Sequence, residues 1–144
     1  MSKVYIAAPF FNADQLLIVE NIKLALEDVG LEYFSPKDES MFKQGDDPKE
    51  ILNLNCKAIN ECSLIVVVTD DKDVGTIWEA GYAYARGKKV LYVWLGYKPY
   101  MKFNLMLGAS GKAVHDYVQL HHQLDHYKRL GILSSTNTEG MLYE

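Results

Sequence analysis

A chain of 144 residues has the length of one domain (1–144), and 49% hydrophobic residues are enough for one core. A formal net charge of −4 argues against a surface built to grip nucleic-acid phosphates. No apolar run reaches transmembrane length and the first residues lack a signal-peptide core, so a cytoplasmic protein with no membrane partner is expected.

Lys3-Val-Tyr-Ile-Ala-Ala8 reads as a first strand, ended by Pro9, with Phe10-Phe11-Asn12 as the loop at its carboxyl end. Asn12 or Asp14 can cap a helix over roughly Ala13–Val29, whose apolar positions recur at helical spacing until Gly30 stops it. Leu31–Phe34 is a short second strand. Ser35–Asp47 reads as a polar loop in which only Met41 and Phe42 are apolar, and Phe42 is either a lid side chain or an anchor. Asp47-Pro48 opens a second helix, with proline at its first position. This helix ends near Cys56 and Cys62, which would not share a face. Neither a disulfide framework nor a zinc site follows from them, and a reduced compartment is the simplest reading.

Leu64-Ile-Val-Val-Val-Thr69 is β-branched, short and bounded by polar residues, as a buried parallel strand is. It passes through Asp70-Asp71-Lys72-Asp73 into an Ala-rich helix after Gly75. Lys88–Leu95 is a fourth strand. Asn104 can cap a short helix broken by Gly108–Gly111. Ala113–Tyr117 can be a fifth strand before a helix over roughly Val118–Leu130. Ser134–Thr138 is turn-like, and Met141–Tyr143 can dock again. The alternation of strand and helix predicts an α/β fold: a flavodoxin-like doubly wound sheet of about five parallel strands with helices on both faces. In that order the loops after the first and third strands meet, gathering Tyr5, Phe11, Asp73 and Glu79 around one crevice at the carboxyl ends of the strands.

Glu79, placed in the first turn of the Ala-rich helix, has two readings. It can close a capping box with Thr76, which is the commoner outcome for this spacing. Alternatively it is a carboxylate nucleophile or base at a strand-end pocket. No Gly-x-Gly-x-x-Gly or Walker A sequence is present, and Pro9-Phe10-Phe11 is poorly suited to cradling a pyrophosphate. His122 and His126 stand four apart, but no further ligand has a telling spacing, so a solvated helix face is expected rather than a metal site. Asp70, Asp71 and Asp73 lack the calcium-loop pattern, and two of them read as solvated loop charges.

Four segments together carry a resemblance. Val4-Tyr-Ile-Ala-Ala-Pro-Phe-Phe11, Lys57-Ala-Ile-Asn-Glu-Cys-Ser-Leu64, Asp73-Val-Gly-Thr-Ile-Trp-Glu-Ala-Gly-Tyr82 and Asn104-Leu-Met106 resemble the nucleoside 2-deoxyribosyltransferases, in order and spacing. The resemblance implies cofactor-free exchange of the base on a 2′-deoxyribonucleoside, with 2′-deoxyribonucleosides and free nucleobases as partners. Glu79 matches the nucleophile, which would form a covalent glutamyl-deoxyribose and give net retention. Tyr5 matches the residue that orients it. Asp73 matches the aspartate that engages the sugar hydroxyls, and Phe11 matches part of the base wall. Gly75 and Met106 lie within the matching segments and are carried over as substrate-binding. Asn104 matches an asparagine supplied to a neighbouring subunit's site, so a homo-oligomer built from dimers, up to a hexamer, is implied.

One position departs from the family. Where an aspartate commonly contacts and protonates the base, Asn55 stands here, and an amide cannot supply an acidic proton. Two other activities remain open at this point. One is a deoxynucleoside or deoxynucleotide N-glycosidic hydrolase, although Pro9-Phe10-Phe11 lacks the Arg and Ser/Gly character that a 5′-phosphate wants. The other is a non-enzymatic nucleoside-binding module, which would need no nucleophile.

Overall fold

The computed structural model describes residues 3–135 and 141–144. Its main sheet has five parallel strands: β1 (Lys3–Ala7), β2 (Glu32–Phe34), β3 (Leu64–Val68), β4 (Lys89–Val93) and β6 (Lys112–Val114), in the order β2-β1-β3-β4-β6. Strand alternation sends two sets of side chains to opposite faces. Val4, Ile6, Leu64, Val66, Leu91 and Val93 pack beneath α1 (Ala13–Val29) and α6 (Tyr117–Leu130). Tyr5, Ala7, Ile65, Val67, Val90 and Tyr92 pack beneath α3 (Pro48–Glu61) and α4 (Val74–Ala85). Every β3 side chain is buried, as its run of branched residues requires. Each such aliphatic side chain contributes roughly 1.5–3 kcal/mol on burial. This is the flavodoxin-like, doubly wound arrangement expected from the sequence.

The helix boundaries follow local chemistry. Asn12 caps α1 by accepting from the Gln15 amide at 2.9 Å, and Gly30 ends it in the left-handed conformation, φ 78°. Asp47 caps α3, with Pro48 next. Asp116 caps α6. After β1 the chain crosses to one side of the sheet, and after β3 to the other. The order therefore reverses between β1 and β3, which opens a crevice between their following loops.

Three expectations need correction. The segment Ser35–Asp47 is not loop throughout, because Pro36–Glu39 forms the short helix α2. Its Asp38 is held 2.5 Å from the buried Lys23 ammonium on α1, a partner far away in sequence. Gly108 does not break the helix after Asn104: α5 runs Leu105–Ser110 and Gly111 ends it. A second, two-stranded sheet pairs β5 (Lys102–Phe103) with β7 (Leu142–Tyr143), so residues 141–143 do dock again. Within the turn expected over Ser134–Thr138, Thr136–Thr138 lie outside the described residues. Finally, Asp70 and Asp71 are not merely solvated charges. Asp70 accepts from the amides of Leu95 and Gly96 at 2.9 and 2.6 Å, and Asp71 accepts from the Gln15 side-chain amide at 2.7 Å. Among the described residues no helix is long and apolar enough to cross a membrane.

Gly111 sits where the chain enters β6, pressed against β4. A Cβ there would lie 2.4 Å from the carbonyl oxygen of Val90, a backbone atom that cannot swing away. Gly111→Ala is expected to lower stability by about 1–3 kcal/mol. The expected readout is a lower urea midpoint with an unchanged slope.

Candidate active site

The site is built from the start of α4. Asp73 is its N-cap, and one carboxylate oxygen, Oδ2, accepts from both the backbone amide and the hydroxyl of Thr76 at 2.9 and 2.8 Å. Thr76 is therefore inside the helix and not its cap, and Glu79 stands in the second turn. The capping-box reading of Thr76 and Glu79 is wrong for this reason: Asp73, three residues earlier, already occupies the cap. Glu79 instead accepts a hydrogen bond at Oε2 from the hydroxyl of Tyr5 on β1.

Tyr5 is fully buried, and its ring stacks on Phe34 of β2 with centroids 5.4 Å apart. Strand β1 thus holds the phenol in the core beneath the crevice, where it meets the carboxylate that lines it. Burial, then the neighbouring Glu79 charge, raises the Tyr5 pKa far above that of an ordinary phenol, so the hydroxyl stays protonated and always donates. Burial pushes the Glu79 carboxyl up to about 7. The Tyr5 hydrogen bond opposes that rise, and the Asp73 charge adds to it.

Around Glu79 lies a crevice of about 630 Å³, within the range of small-ligand pockets. Phe11, Asn55, Asp73 and Gly75 all line it, together with Phe42 and Trp78. Phe11 and Trp78 are 73% and 50% exposed, so the walls present aromatic surface to whatever enters. Asp73 keeps Oδ1 unpaired among the described residues. Gln15 ties the two loops of the crevice together: its Oε1 accepts from the Phe11 amide at 2.8 Å while its Nε2 donates to Asp71.

Asn104 and Met106 stand elsewhere. Asn104 caps α5, accepting at Oδ1 from the amides of Met106 and Leu107, and both Asn104 and Met106 line a separate cavity with Trp94 and Phe103. Met106 is 75% exposed. Sequence reasoning missed Gln15 and Ser40, which pair with residues distant in the chain, and passed over Trp78 although it stands beside Glu79. The histidines are engaged by ordinary contacts: His126 with the Ile132 carbonyl and His121 with Asp28. Among the described residues no group of side chains could hold a metal ion.

The family model for nucleoside 2-deoxyribosyltransferases matches residues 4–129. The chain belongs to the nucleoside 2-deoxyribosyltransferase family. A solved structure of a 2-deoxyribosyltransferase from the psychrotolerant bacterium Bacillus psychrosaccharolyticus is similar, at 26% identity and TM-score 0.70, over 83% of this chain and 90% of that one. The fold is shared with a Leishmania mexicana 2-deoxyribosyltransferase, at 21% identity and TM-score 0.69, over 92% of this chain and 100% of that one. It is shared too with the Clostridium botulinum CMP N-glycosidase BcmB, at 23% identity and TM-score 0.61, over 88% of this chain and 100% of that one. No curated sequence is similar enough to count as a relative. This member of the deoxyribosyltransferase family is accordingly an enzyme acting on glycosidic bonds.

The raised Glu79 pKa has a stability consequence. In the unfolded chain the carboxyl ionises near 4.5, and in the fold near 7. Between these values the folded state binds more protons, so stability falls as pH rises from about 4.5 to about 7 and then levels off. Glu79→Gln should remove that fall and raise stability at pH 8, by on the order of 2 kcal/mol, relative to the native chain. Denaturant melts of both proteins at pH 4.5 and pH 8 check this.

Proposed function

We propose that the protein transfers the 2-deoxyribosyl group between nucleobases through a covalent glutamyl-deoxyribose. The observation that carries this reading is the Tyr5–Glu79 pair at the floor of an aromatic-walled crevice. Glu79 attacks C1′ of a 2′-deoxyribonucleoside. The bond from C1′ to the base nitrogen breaks, and its electron pair leaves with the base. A ring nitrogen of an acceptor base then attacks C1′ from the opposite side; the C1′–O bond breaks, its electron pair returns to the Glu79 carboxylate, and the acceptor's surplus N–H proton passes to water. Each displacement inverts the centre, so the product retains the starting configuration. The transition state has oxocarbenium character, and a carboxylate beneath C1′ both stabilises and traps that charge.

The other crevice residues take roles that fit their bonding. Asp73, with Oδ2 committed to Thr76, offers Oδ1 to a sugar hydroxyl. Phe11 and Trp78 offer faces for base stacking. Gly75 lines the crevice, and a Cβ added there would lie 3.5 Å from Asp73 Oδ2. Asn104 and Met106 complete the crevice of a second copy in a homo-oligomer. Their exposure and their place in a cavity other than the one around Glu79 support a role across an interface. No Lys or Arg lines the crevice among the described residues, which favours nucleosides over 5′-nucleotides. Hydrolysis is the competing outcome for the same intermediate, if water reaches C1′ before an acceptor base does. A binding module without turnover is disfavoured because the buried carboxylate, lacking a cation, costs stability that binding alone would not require.

Incubation of thymidine with adenine is expected to yield deoxyadenosine. Free deoxyribose as the main product would mean hydrolysis, and no product at all would reject the enzyme reading. Tyr5→Phe removes the hydrogen bond that holds the Glu79 pKa down, so the acid limb of kcat/KM should move up from about 7. The maximal rate should fall about 10–100-fold, the worth of one charge-assisted hydrogen bond. Glu79→Ala and Asn104→Ala should each be inactive. Mixed together as subunits, they should recover about a quarter of the sites, because some crevices then combine an intact Glu79 with an intact Asn104.

A further inference from the structure

Ser40 ends α2 and is 7% exposed. Its Oγ lies 2.5 Å from Asn55 Oδ1 and 3.5 Å from the Pro36 carbonyl. A serine hydroxyl has one proton to give, and the shorter contact has the length of an O–H···O bond, below the range of N–H···O bonds. Ser40 therefore donates to Asn55, which fixes the amide with its oxygen toward α2. Among the described residues Nδ2 has no acceptor, and Asn55 lines the crevice. Ser40 is itself held in place. Helix α2 is anchored by Asp38 on Lys23, and Glu39 accepts from the Ser35 amide at 3.2 Å.

We propose that Ser40 is a positioning residue that makes Asn55 a fixed hydrogen-bond donor, so that the site selects nucleobases carrying a lone pair on the edge that meets α3. This rests on the transfer reading above. The leaving step balances without an acid. The C1′–N electron pair passes to the base while the Glu79–C1′ bond forms, Nδ2–H donates to the resulting anion, and water later supplies its proton. Turnover is then set by the intrinsic acidity of the departing base. A carboxyl at position 55 would keep the Ser40 bond but bring in a proton, which separates donor geometry from acid chemistry.

The test measures calorimetric binding of adenine, 3-deazaadenine and 7-deazaadenine, each analogue lacking one ring acceptor. The native protein should bind one analogue about fivefold more weakly than adenine, the worth of one hydrogen bond. Ser40→Ala should close that gap, and Ser40→Thr, which keeps the hydroxyl, should preserve it. Asn55→Asp should add a limb to the pH profile of deoxyadenosine turnover that the native enzyme lacks. The proposal is overturned if all three bases bind alike, if Ser40→Ala keeps the gap, or if Asn55→Asp leaves the pH profile unchanged. Exchange with an unchanged gap in Ser40→Ala rejects this inference alone. The expected binding pattern without exchange by the native protein rejects the transfer reading while the reading of Asn55 stands.

Discussion

The structure depends on one hydrogen bond between a strand and a helix. Tyr5 is held in the core by the ring of Phe34, with β2 and β3 on either side of its strand. Its hydroxyl donates to Glu79, which lines the crevice. The carboxylate is thus oriented by the sheet, the most rigid part of the molecule, rather than by a loop. Its raised pKa and its position come from the same cause. Burial deep enough for Tyr5 to touch it is also burial deep enough to resist its charge.

The sheet order and the faces of its strands were legible because period-two and period-3.6 patterns are local. The all-buried run of β3 and the alternating partition of β1 and β4 need nothing beyond neighbouring residues. The parts that escaped depend on pairs distant in sequence. Helix α2 is too short to show a period, and its anchor, Lys23, lies on another helix. The pairing of β5 with β7 involves two residues from each strand, too few for any pattern. The cap of α4 went astray for a related reason. Asp73 and Thr76 are both good cap residues three apart, and which one starts the helix is decided by the end of β3.

The candidate site was legible in part. The switch between β1 and β3 brings Tyr5, Phe11, Asp73 and Glu79 to one place from topology alone. Asn55 and Gly75 are singled out by resemblance, and both line the same crevice. Asn104 and Met106 came the same way but face another cavity. Neither composition nor spacing shows that these two residues stand apart from the crevice around Glu79. The hydrogen bond from Ser40 to Asn55 joins a loop and a helix fifteen residues apart. It could not have been foreseen from composition or spacing.

The pairing of β5 with β7 carries a kinetic implication. A parallel pair cannot form as a hairpin, and α5, β6 and α6 all lie between its two strands. Closing so long a loop costs more chain entropy than closing a hairpin, which makes this pairing one of the costlier contacts for folding to reach. The same small sheet has little buried area of its own, and its backbone amides belong among the first to exchange with deuterium from the native state.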